Sequence, residues 1–189
     1  MVMISEFLSK AFQIEMEKSL GQYIEQEAKI KEFSAKQVIV QEGELSRHLY
    51  FIIQGIVRGY YIDEKGNDIT KCLRSEKQFF SAERFLTGQN ASFTIEALEV
   101  CKVIQLPYTL IHQILEKNSQ WKNVFNRLMV NEINRLEIEK KNLVLLDAKK
   151  RYEFFCDEYP ELCGRIDLQY IASYIGIRPQ SLSRIRKNN

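Results

Sequence analysis

The sequence predicts an α+β protein in which a β-rich region is followed by one long helix and a small helical domain. Short runs of β-branched and aromatic residues, separated by turn residues, recur between residues 38 and 106. Evenly spaced short strands of this kind are typical of a β-sandwich or barrel. Residues 120–146 contain neither Gly nor Pro and place apolar residues at helical spacing. The final stretch, residues 166–189, predicts two short helices joined at a glycine.

The region before the strands, from residue 1 to about residue 26, predicts an amphipathic helix that packs on the β-rich region. Gly21 marks a break in this helical pattern. The apolar positions that set the helical period are Ile4, Phe7, Leu8, Phe12, Ile14 and Leu20.

The predicted strands are separated by turn residues, among them Gly43, Gly55 and the run DEKGN at 63–67. Pro107 ends the last strand, and residues 108–116 predict a short helix. The strands are predicted at 38–40, 49–53, 56–62, 69–73, 93–97 and 100–106.

The long helix carries a stripe of apolar residues that step by three or four positions. Such a stripe could pack on the sandwich of its own chain. Its length and its place between two domains favour self-association, and a two-fold dimer would present a pair of recognition helices to a palindromic DNA site. Residues 142–147 then predict a hinge, and 149–159 predicts a helix that Pro160 stops. The predicted dimer interface consists of Phe125, Met129, Ile133, Leu136 and Leu143.

The last two predicted helices have the layout of a helix-turn-helix around Gly176. Pro179 stands in the first turn of the second helix, where its missing N–H costs nothing. Leu182 and Ile185 share one face of that helix, so its other faces carry hydrogen-bond donors. In DNA-binding proteins the second helix enters the major groove with its N-terminal residues leading. The alternative is an ordinary helical hairpin with a solvated basic end.

The positive charge of the chain is local. With 189 residues, 45% of them hydrophobic, the chain can bury a substantial core, and its net charge is only +2. The last segment nevertheless holds one acid, Asp167, against five cations, which is how a nucleic-acid footprint is distributed. These cations are Arg165, Arg178, Arg184, Arg186 and Lys187.

The cysteines and histidines argue against a metal site and against an enzyme. The sequence has no CxxC pair and no secretory or transmembrane run near Met1, so we expect a cytoplasmic protein with free thiols at Cys72, Cys101, Cys156 and Cys163. His48 and His112 lie in different predicted elements, without ligand-like spacing. A cupin-type oxygenase needs clustered His and carboxylate ligands, and no P-loop, nucleophile elbow or Rossmann glycine pattern is present either.

The chain resembles the Crp/Fnr family of bacterial transcription regulators over almost its whole length. The matching runs are GELSRHLYFIIQG at 43–55, DEKGNDIT at 63–70, NLVLLD at 142–147 and the terminal helix-turn-helix. The runs IVRGYYIDEKGNDIT, FLTGQNASFTIEALE, KRYEFFCDEYPEL and YIASYIGIRPQSLSRIRK look closer still to short family members typical of Bacteroidetes.

The resemblance implies a fold and a function. It implies a sensory domain at 1–119 with a double-stranded β-helix, the jelly roll of cyclic-nucleotide-binding domains. A dimerisation helix and hinge follow at 120–147, and a winged-helix-like helix-turn-helix domain lacking a full wing at 148–189. Such a protein is a homodimeric, sequence-specific DNA-binding regulator with RNA polymerase as a further partner and no membrane partner. Without the wing, we expect fewer phosphate contacts and weaker, less salt-dependent binding.

The resemblance also locates an effector pocket, in the stretch FFSAERFLTGQNASFTIEA. Relatives that bind cyclic AMP use a Glu for the ribose and an Arg for the phosphate, because a buried phosphate needs a cation or converging N–H groups. Here Ala91 replaces that Arg, Glu83 is displaced, and Leu136 and Glu137 stand where hydroxyls would meet the adenine. We therefore do not expect cyclic AMP as the cofactor. Candidate pocket residues are Phe80, Ser81, Glu83, Arg84, Ser92, Phe93 and Leu136.

Two alternatives for the pocket stay open. Another small effector could occupy it, or Phe80, Phe85 and Phe93 could close it. Sensing through haem or an iron–sulfur cluster is not expected, because the sequence has neither an N-terminal Cys cluster nor a haem-ligating His.

The DNA-reading residues carry over from the family one by one. Arg184 falls on the family's characteristic recognition-helix arginine, suited to guanine, and Gln180 replaces a Glu, which shifts the preference toward adenine. Pro179 replaces a guanine-reading Arg, so the operator should differ. Phosphate contacts are expected from Arg178, Ser181, Ser183, Arg186 and Lys187. The competing function is a ligand-sensing or protein-interaction β-domain without specific DNA binding.

Overall fold

The computed structural model describes residues 3–82 and 87–187. Within this part of the chain, two four-stranded antiparallel sheets face each other. One sheet has the order β1-β8-β3-β6, and the other has the order β2-β7-β4-β5. The first sheet consists of β1 (Lys29–Phe33), β3 (His48–Gln54), β6 (Phe79–Phe80) and β8 (Cys101–Pro107), and the second of β2 (Val38–Val40), β4 (Val57–Ile62), β5 (Asp68–Arg74) and β7 (Thr94–Ala97). The predicted α+β class with a jelly-roll-like sandwich is confirmed.

Strand β3 shows how the sequence builds two cores with one sheet. Side chains alternate between the faces of a strand. Ile52 therefore points into the sandwich with its register partner Val103, whereas Phe51 and its partner Ile104 point to the other face and into a helical layer. Both faces are buried, which explains why the run LYFII is almost continuously apolar.

The helical layer is built from α1 (Ile4–Phe12), α2 (Lys18–Glu27), α3 (Tyr108–Lys117) and the first turns of α4 (Ser119–Leu145). The predicted break at Gly21 was wrong. The chain breaks between α1 and α2, where Gln13 has a left-handed φ of 53° and ends α1. Gly21 lies inside α2, and Glu25 of the same helix accepts hydrogen bonds from the N–H and hydroxyl of Ser5, both at 2.7 Å.

Two strands escaped the sequence prediction. The sequence KIKEF of β1 has no regular alternation of charged and apolar residues, and four of its five residues are exposed in this edge strand, which pairs with β8. The strand β6 has only two residues, too few for any periodicity. The six predicted strands are present within a residue or two of their expected ends.

The predicted hinge was too long. Helix α4 continues to Leu145, so 142–145 are helical and the connection to α5 (Ala148–Glu158) shrinks to residues 146–147. Asp147 caps α5 by accepting the backbone N–H of Lys150 at 2.9 Å, an arrangement that fixes where the new helix begins. No helix among the described residues is long and apolar enough to cross a membrane.

The C-terminal domain consists of α5, α6 (Leu168–Tyr174) and α7 (Pro179–Lys187) around one hydrophobic cluster. Phe155, Ile171 and Leu182 are fully buried in it. The cluster extends into the sandwich, since Ile56 and Leu73 belong to it as well. The C-terminal domain is thus docked on the sandwich rather than tethered beside it.

The prediction of free thiols was wrong for Cys156 and Cys163. These residues form a disulfide with their Cα atoms 5.7 Å apart. After α5 ends near Pro160, the chain turns back, with the N–H of Leu162 donating to the carbonyl of Tyr159 at 3.0 Å. That turn brings the two cysteines together, although no sequence motif predicts their pairing. Cys72 and Cys101 are free thiols, as predicted.

Candidate DNA interface and effector pocket

Helix α7 is held to its domain by one face only. Leu182 is fully buried in the hydrophobic cluster that α7 shares with α5 and α6, and Ile185 is half-buried. Gly176 makes the turn before it with a φ of +69°, a conformation that L side chains rarely adopt. Pro179 is the first residue of the helix, as its sequence predicts.

The side chains predicted to meet DNA are brought together on the outer faces of α7 and its N-terminal approach. All of them are exposed, and residues 179–187 include no acid. The exposed set is Arg178, Gln180, Ser181, Ser183, Arg184, Arg186 and Lys187. A short basic helix that presents donors along its whole outer surface can reach both base edges and phosphates in a major groove.

Helix α6, the first helix of the helix-turn-helix, contacts the sandwich at Arg58. This side chain is 2% exposed and pairs with Asp68 at 2.9 Å and with Glu96 at 2.8 Å. The ring of Tyr170, on α6, lies 4.1 Å from the guanidinium carbon of Arg58, and its hydroxyl accepts from Lys36. Hydrogen bonding to Arg58 lowers the pKa of the Asp68 carboxyl. We call Arg58, Asp68, Glu96 and Tyr170 the Arg58 cluster.

Another contact between the domains lies at the turn before α6. Arg165 donates to both carboxylate oxygens of Glu76, at 2.8 and 3.0 Å, and also to Glu99. This hydrogen bonding lowers the pKa of Glu76 to about 2. Nearby, Ser75 donates to Glu161 at 3.3 Å. The turn between α5 and α6 therefore carries polar contacts that hold the two domains together.

A cavity of about 410 Å³ lies between the β5 side of the sandwich and α4. Phe80, Ser81 and Phe93 line it, as predicted for the effector pocket. The Ser81 hydroxyl is already engaged, because it donates to the carbonyl of His48 at 2.8 Å. Ser92 is half-buried and is not among the lining residues, and Glu83, Arg84 and Phe85 lie outside the described residues.

The walls of this cavity are largely apolar, and several of its cations are paired. Arg74 and Arg135 both bind the carboxylate of Glu132, at 2.7 and 2.6 Å. The ammonium of Lys71 lies 4.4 Å from the centre of the Phe93 ring. Ala91, expected where cyclic-AMP-binding relatives carry their phosphate-binding Arg, is buried and uncharged.

Leu136 lines a different cavity, of about 440 Å³, between α4 and the C-terminal domain. Tyr174 of α6 lines it too and donates to Glu139 of α4. Burial, followed by the nearby charge of Glu139, raises the pKa of the Tyr174 hydroxyl. Leu136 and the predicted pocket residues Phe80 and Phe93 are thus placed in separate cavities of the described chain.

The predicted dimer stripe is exposed on α4. Met129 is 39% exposed, Ile133 59%, Leu136 43% and Leu143 55%. Phe125 differs, since it is half-buried and lines the cavity of about 410 Å³. Four further apolar residues of α4 are exposed and were not predicted, namely Val130, Ile138, Val144 and Leu145. Ile138 and Leu145 lie on the side of the helix opposite Leu136, so the periodicity of the stripe could not identify them.

Residues outside the predicted sites also have roles, and the Arg58 cluster is the main one. Arg58 stands in the run IVRGYYI, and a lone charge in a strand that is otherwise apolar needs a buried partner. The buried partner is Glu96, which faces Arg58 in register on β7, whereas Asp68 is half-exposed and Tyr170 lies more than a hundred residues away. No group of three or more His, Cys, Asp or Glu within residues 3–82 and 87–187 could hold a metal ion.

The chain is similar to known proteins in one domain model and in several regulators. The model of the cyclic nucleotide-binding domain matches residues 30–118. The chain is 25% identical over 126 residues to the cAMP-activated global transcriptional regulator CRP of Escherichia coli O157:H7, and 28% identical over 134 residues to the fumarate and nitrate reduction regulatory protein of Vibrio cholerae. The chain thus carries a cyclic nucleotide-binding domain and is similar in sequence to these two bacterial regulators.

These two regulators match only in part. The alignments cover 65% of this chain and 59% of CRP, and 71% of this chain and 50% of the Vibrio cholerae protein. In structure, the chain is similar to FixK2 from Bradyrhizobium japonicum, with a TM-score of 0.77 and 17% identity over 85% of this chain and 83% of that one. This likeness shows that the two chains share a fold. The relatives are named as transcription regulators, in agreement with the prediction that the chain is not an enzyme.

Proposed function

We propose that this protein is a homodimeric, cytoplasmic, sequence-specific DNA-binding transcription regulator of the Crp/Fnr type. The observation that carries the proposal is the anchoring of α7, which is fixed through the buried Leu182 while its polar side chains all face outward. A recognition helix needs this arrangement, because it must be rigid on one side and free to contact base edges on the other.

Each exposed side chain of α7 has a proposed task. Arg184 donates two hydrogen bonds to guanine, and Gln180 bonds the Hoogsteen edge of adenine. The phosphate contacts, from Arg178, Ser181, Ser183, Arg186 and Lys187, position the helix without reading sequence.

The dimer forms along α4 through Met129, Ile133, Leu136 and Leu143, with Phe125 at its inner end. An apolar stripe exposed on a long helix and interrupted by Lys140 supports this proposal, because burying it against a second copy removes that surface from water. Two-fold symmetry would place two copies of α7 on a palindrome, with half-sites about one helical turn apart.

The proposed division of labour follows the expected boundaries. Residues 1–119 form the sensory domain, residues 120–147 form the dimerisation helix and hinge, and residues 148–189 form the DNA-binding domain. RNA polymerase is a further partner. The effector is a small molecule other than cyclic AMP, held near Phe80, Ser81 and Phe93. Glu83 and Arg84 remain proposed pocket residues, whereas Ser92 and Leu136 do not line this cavity and are left out of the proposal.

In vitro selection from random duplexes tests the proposal. Wild-type protein should enrich a palindrome, and Arg184→Ala should lose that enrichment while keeping its circular dichroism spectrum. Lys65→Ala, which removes a cation from the exposed turn between β4 and β5, is the matched control and should enrich the same palindrome. Repeating the selection with cyclic AMP, cyclic GMP and a cell metabolite extract identifies the effector class. If no duplex is enriched under any condition, a β-domain that senses ligands or binds proteins replaces the regulator.

A further inference from the structure

The disulfide between Cys156 and Cys163 lies at the joint between the two domains. Cys156 belongs to α5, and Cys163 lies in the turn that leads to α6. Both are only partly buried, so small oxidants and reductants can reach them. A protein that works on the chromosome does so in a reducing compartment, where disulfides are mostly transient and redox-sensing.

We propose that Cys156 and Cys163 are a reversible dithiol–disulfide pair, oxidised by hydroperoxides, that controls how firmly the helix-turn-helix domain is docked on the sandwich. The reducing compartment and the consequence for DNA affinity rest on the proposed function, whereas the redox chemistry and its effect on docking can be measured without DNA.

The oxidation balances with hydrogen peroxide as the two-electron oxidant. One thiol loses its proton, the thiolate attacks a peroxide oxygen, and the O–O bond breaks to give a sulfenic acid and hydroxide, which takes up that proton to form water. The second thiol attacks the sulfenic sulfur, the S–S bond forms, and a second water leaves. A small dithiol reverses the step by thiol–disulfide exchange, in which it becomes a disulfide and returns both protons to the cysteines.

The other two cysteines are unsuited to this chemistry. Cys101 is fully buried, and its thiol donates to the carbonyl of Ile56 at 3.2 Å. Burial also raises the pKa of the Cys101 thiol to about 11, so it is rarely a thiolate. Cys72 stands alone on β5 beside the cavity of about 410 Å³. Neither is bonded to a second sulfur in the described chain, whereas Cys156 and Cys163 are already placed for a bond.

The bridged segment, residues 156–163, is also the segment that contacts the sandwich. Glu161 within it accepts from Ser75, and Arg165 just beyond it binds Glu76 and Glu99. Leu162, 1% exposed, anchors the same turn in the cluster shared by both domains. Closing the bridge therefore orders the turn that carries these contacts, and opening it restores the freedom of that turn.

The effect should reach α7 through α6. Helix α6 begins a few residues after Cys163, and it is bonded to the sandwich by Tyr170 and by Ser173, which accepts the N–H of Thr70 at 2.8 Å. A recognition helix that is already fixed loses less conformational entropy on binding. We therefore expect the oxidised protein to bind DNA about five-fold more tightly than the reduced protein, or more.

The first test follows the sulfur chemistry in the full-length wild-type protein. Reduced protein is treated with hydrogen peroxide, alkylated and analysed by peptide mass spectrometry. The peptides of Cys156 and Cys163 should become disulfide-linked and should be released again by a small dithiol, and Cys72→Ser should behave in the same way. A pair that stays reduced, or oxidation that goes to Cys72 or Cys101 instead, overturns the proposal.

The second test follows docking by amide hydrogen exchange on the oxidised and reduced wild-type protein. Reduction should speed exchange in α6 and at residues 75–78, while β3 and β8 serve as internal references. Cys156→Ser and Cys163→Ser should exchange like the reduced wild type under both conditions. Identical exchange in the two wild-type states shows a bridge without a switching role and overturns the proposal, even if one serine variant fails to fold.

DNA affinity is measured last, on the palindrome from the selection experiment. Equal affinities, or tighter binding by the reduced form, overturn the expected consequence. Absence of any DNA binding contradicts the proposed function and leaves the exchange result standing, so the two failures are distinguishable.

Discussion

Replacing Arg58 should lower the free energy of unfolding strongly for a single side chain. It is 2% exposed and faces Glu96, itself only 8% exposed, so Arg58→Met leaves a buried carboxylate without its partner. Such losses cost about 3 kcal/mol or more. We expect Arg58→Met to lower the free energy of unfolding by about that amount in urea denaturation. Arg58→Met combined with Glu96→Gln should recover part of the loss, and equal instability of the two variants would contradict this explanation.

Glu76 gives the domain contact a pH dependence. The hydrogen bonds from Arg165 lower its pKa from the ordinary 4.5 to about 2 in the folded protein. A carboxyl whose pKa is lower when folded stabilises the protein fully above pH 4.5, and that contribution is lost as the pH falls toward 2. Wild-type protein should therefore lose more stability than Glu76→Gln between these values. The measurement is the free energy of unfolding against pH, and parallel curves for the two proteins would refute the prediction.

Single residues also show where sequence reasoning stops. The exposure of the polar residues of α7 followed from the apolar face of Leu182 and Ile185, because local periodicity determines it. The pairing of Cys156 with Cys163 and the meeting of Arg58 with Tyr170 depend on a turn geometry and on domain docking. Neither leaves a periodic signal in the sequence.

At the scale of elements, strong apolar periodicity in the sequence was sufficient to predict a helix or strand, and weak periodicity was not. The long helix was predicted from residue 120 and begins at Ser119. The edge strand β1 is mostly exposed, so its sequence lacks the alternation of apolar and polar residues that burial of one face produces. The strand β6 is too short to show a pattern. The stretch 142–145 matched a family hinge motif but continues α4, because it contains no helix-breaking residue.

Helix α4 carries the proposed dimer interface, which substitutions in its exposed stripe can test. Leu136→Glu and Ile133→Glu each place a carboxylate in the exposed stripe, where dimerisation would have to bury it without a partner. We expect either change to weaken the dimer at least ten-fold in sedimentation equilibrium, a cost of about 1.4 kcal/mol. Lys141→Glu introduces the same acid on α4 outside the stripe and should leave the dimer intact. A stable Leu136→Glu dimer with full DNA affinity would rule out this interface.

At the scale of the whole molecule, the sandwich and the helix-turn-helix share one hydrophobic cluster. Ile56 and Leu73 of the sandwich pack with Phe155 and Ile171 of the C-terminal domain. The sequence predicted two domains and a connecting helix from local patterns alone. That the domains are docked could not be predicted, because the contacts join residues separated by most of the chain and each surface, taken alone, looks like part of its own core.

Because the two domains are docked, we expect them to unfold cooperatively. Domains that share buried surface unfold together, whereas weakly joined domains unfold in separate steps. Wild-type protein should therefore show one calorimetric transition. Tyr170→Ala removes the ring that packs on Arg58 and opens a gap at the domain boundary, so its C-terminal domain should melt first in a separate transition. Tyr170→Phe keeps the ring and loses only the hydroxyl that accepts from Lys36, and it should still melt in one step. A single transition for Tyr170→Ala at an unchanged midpoint would show that Tyr170 does not hold the two domains together.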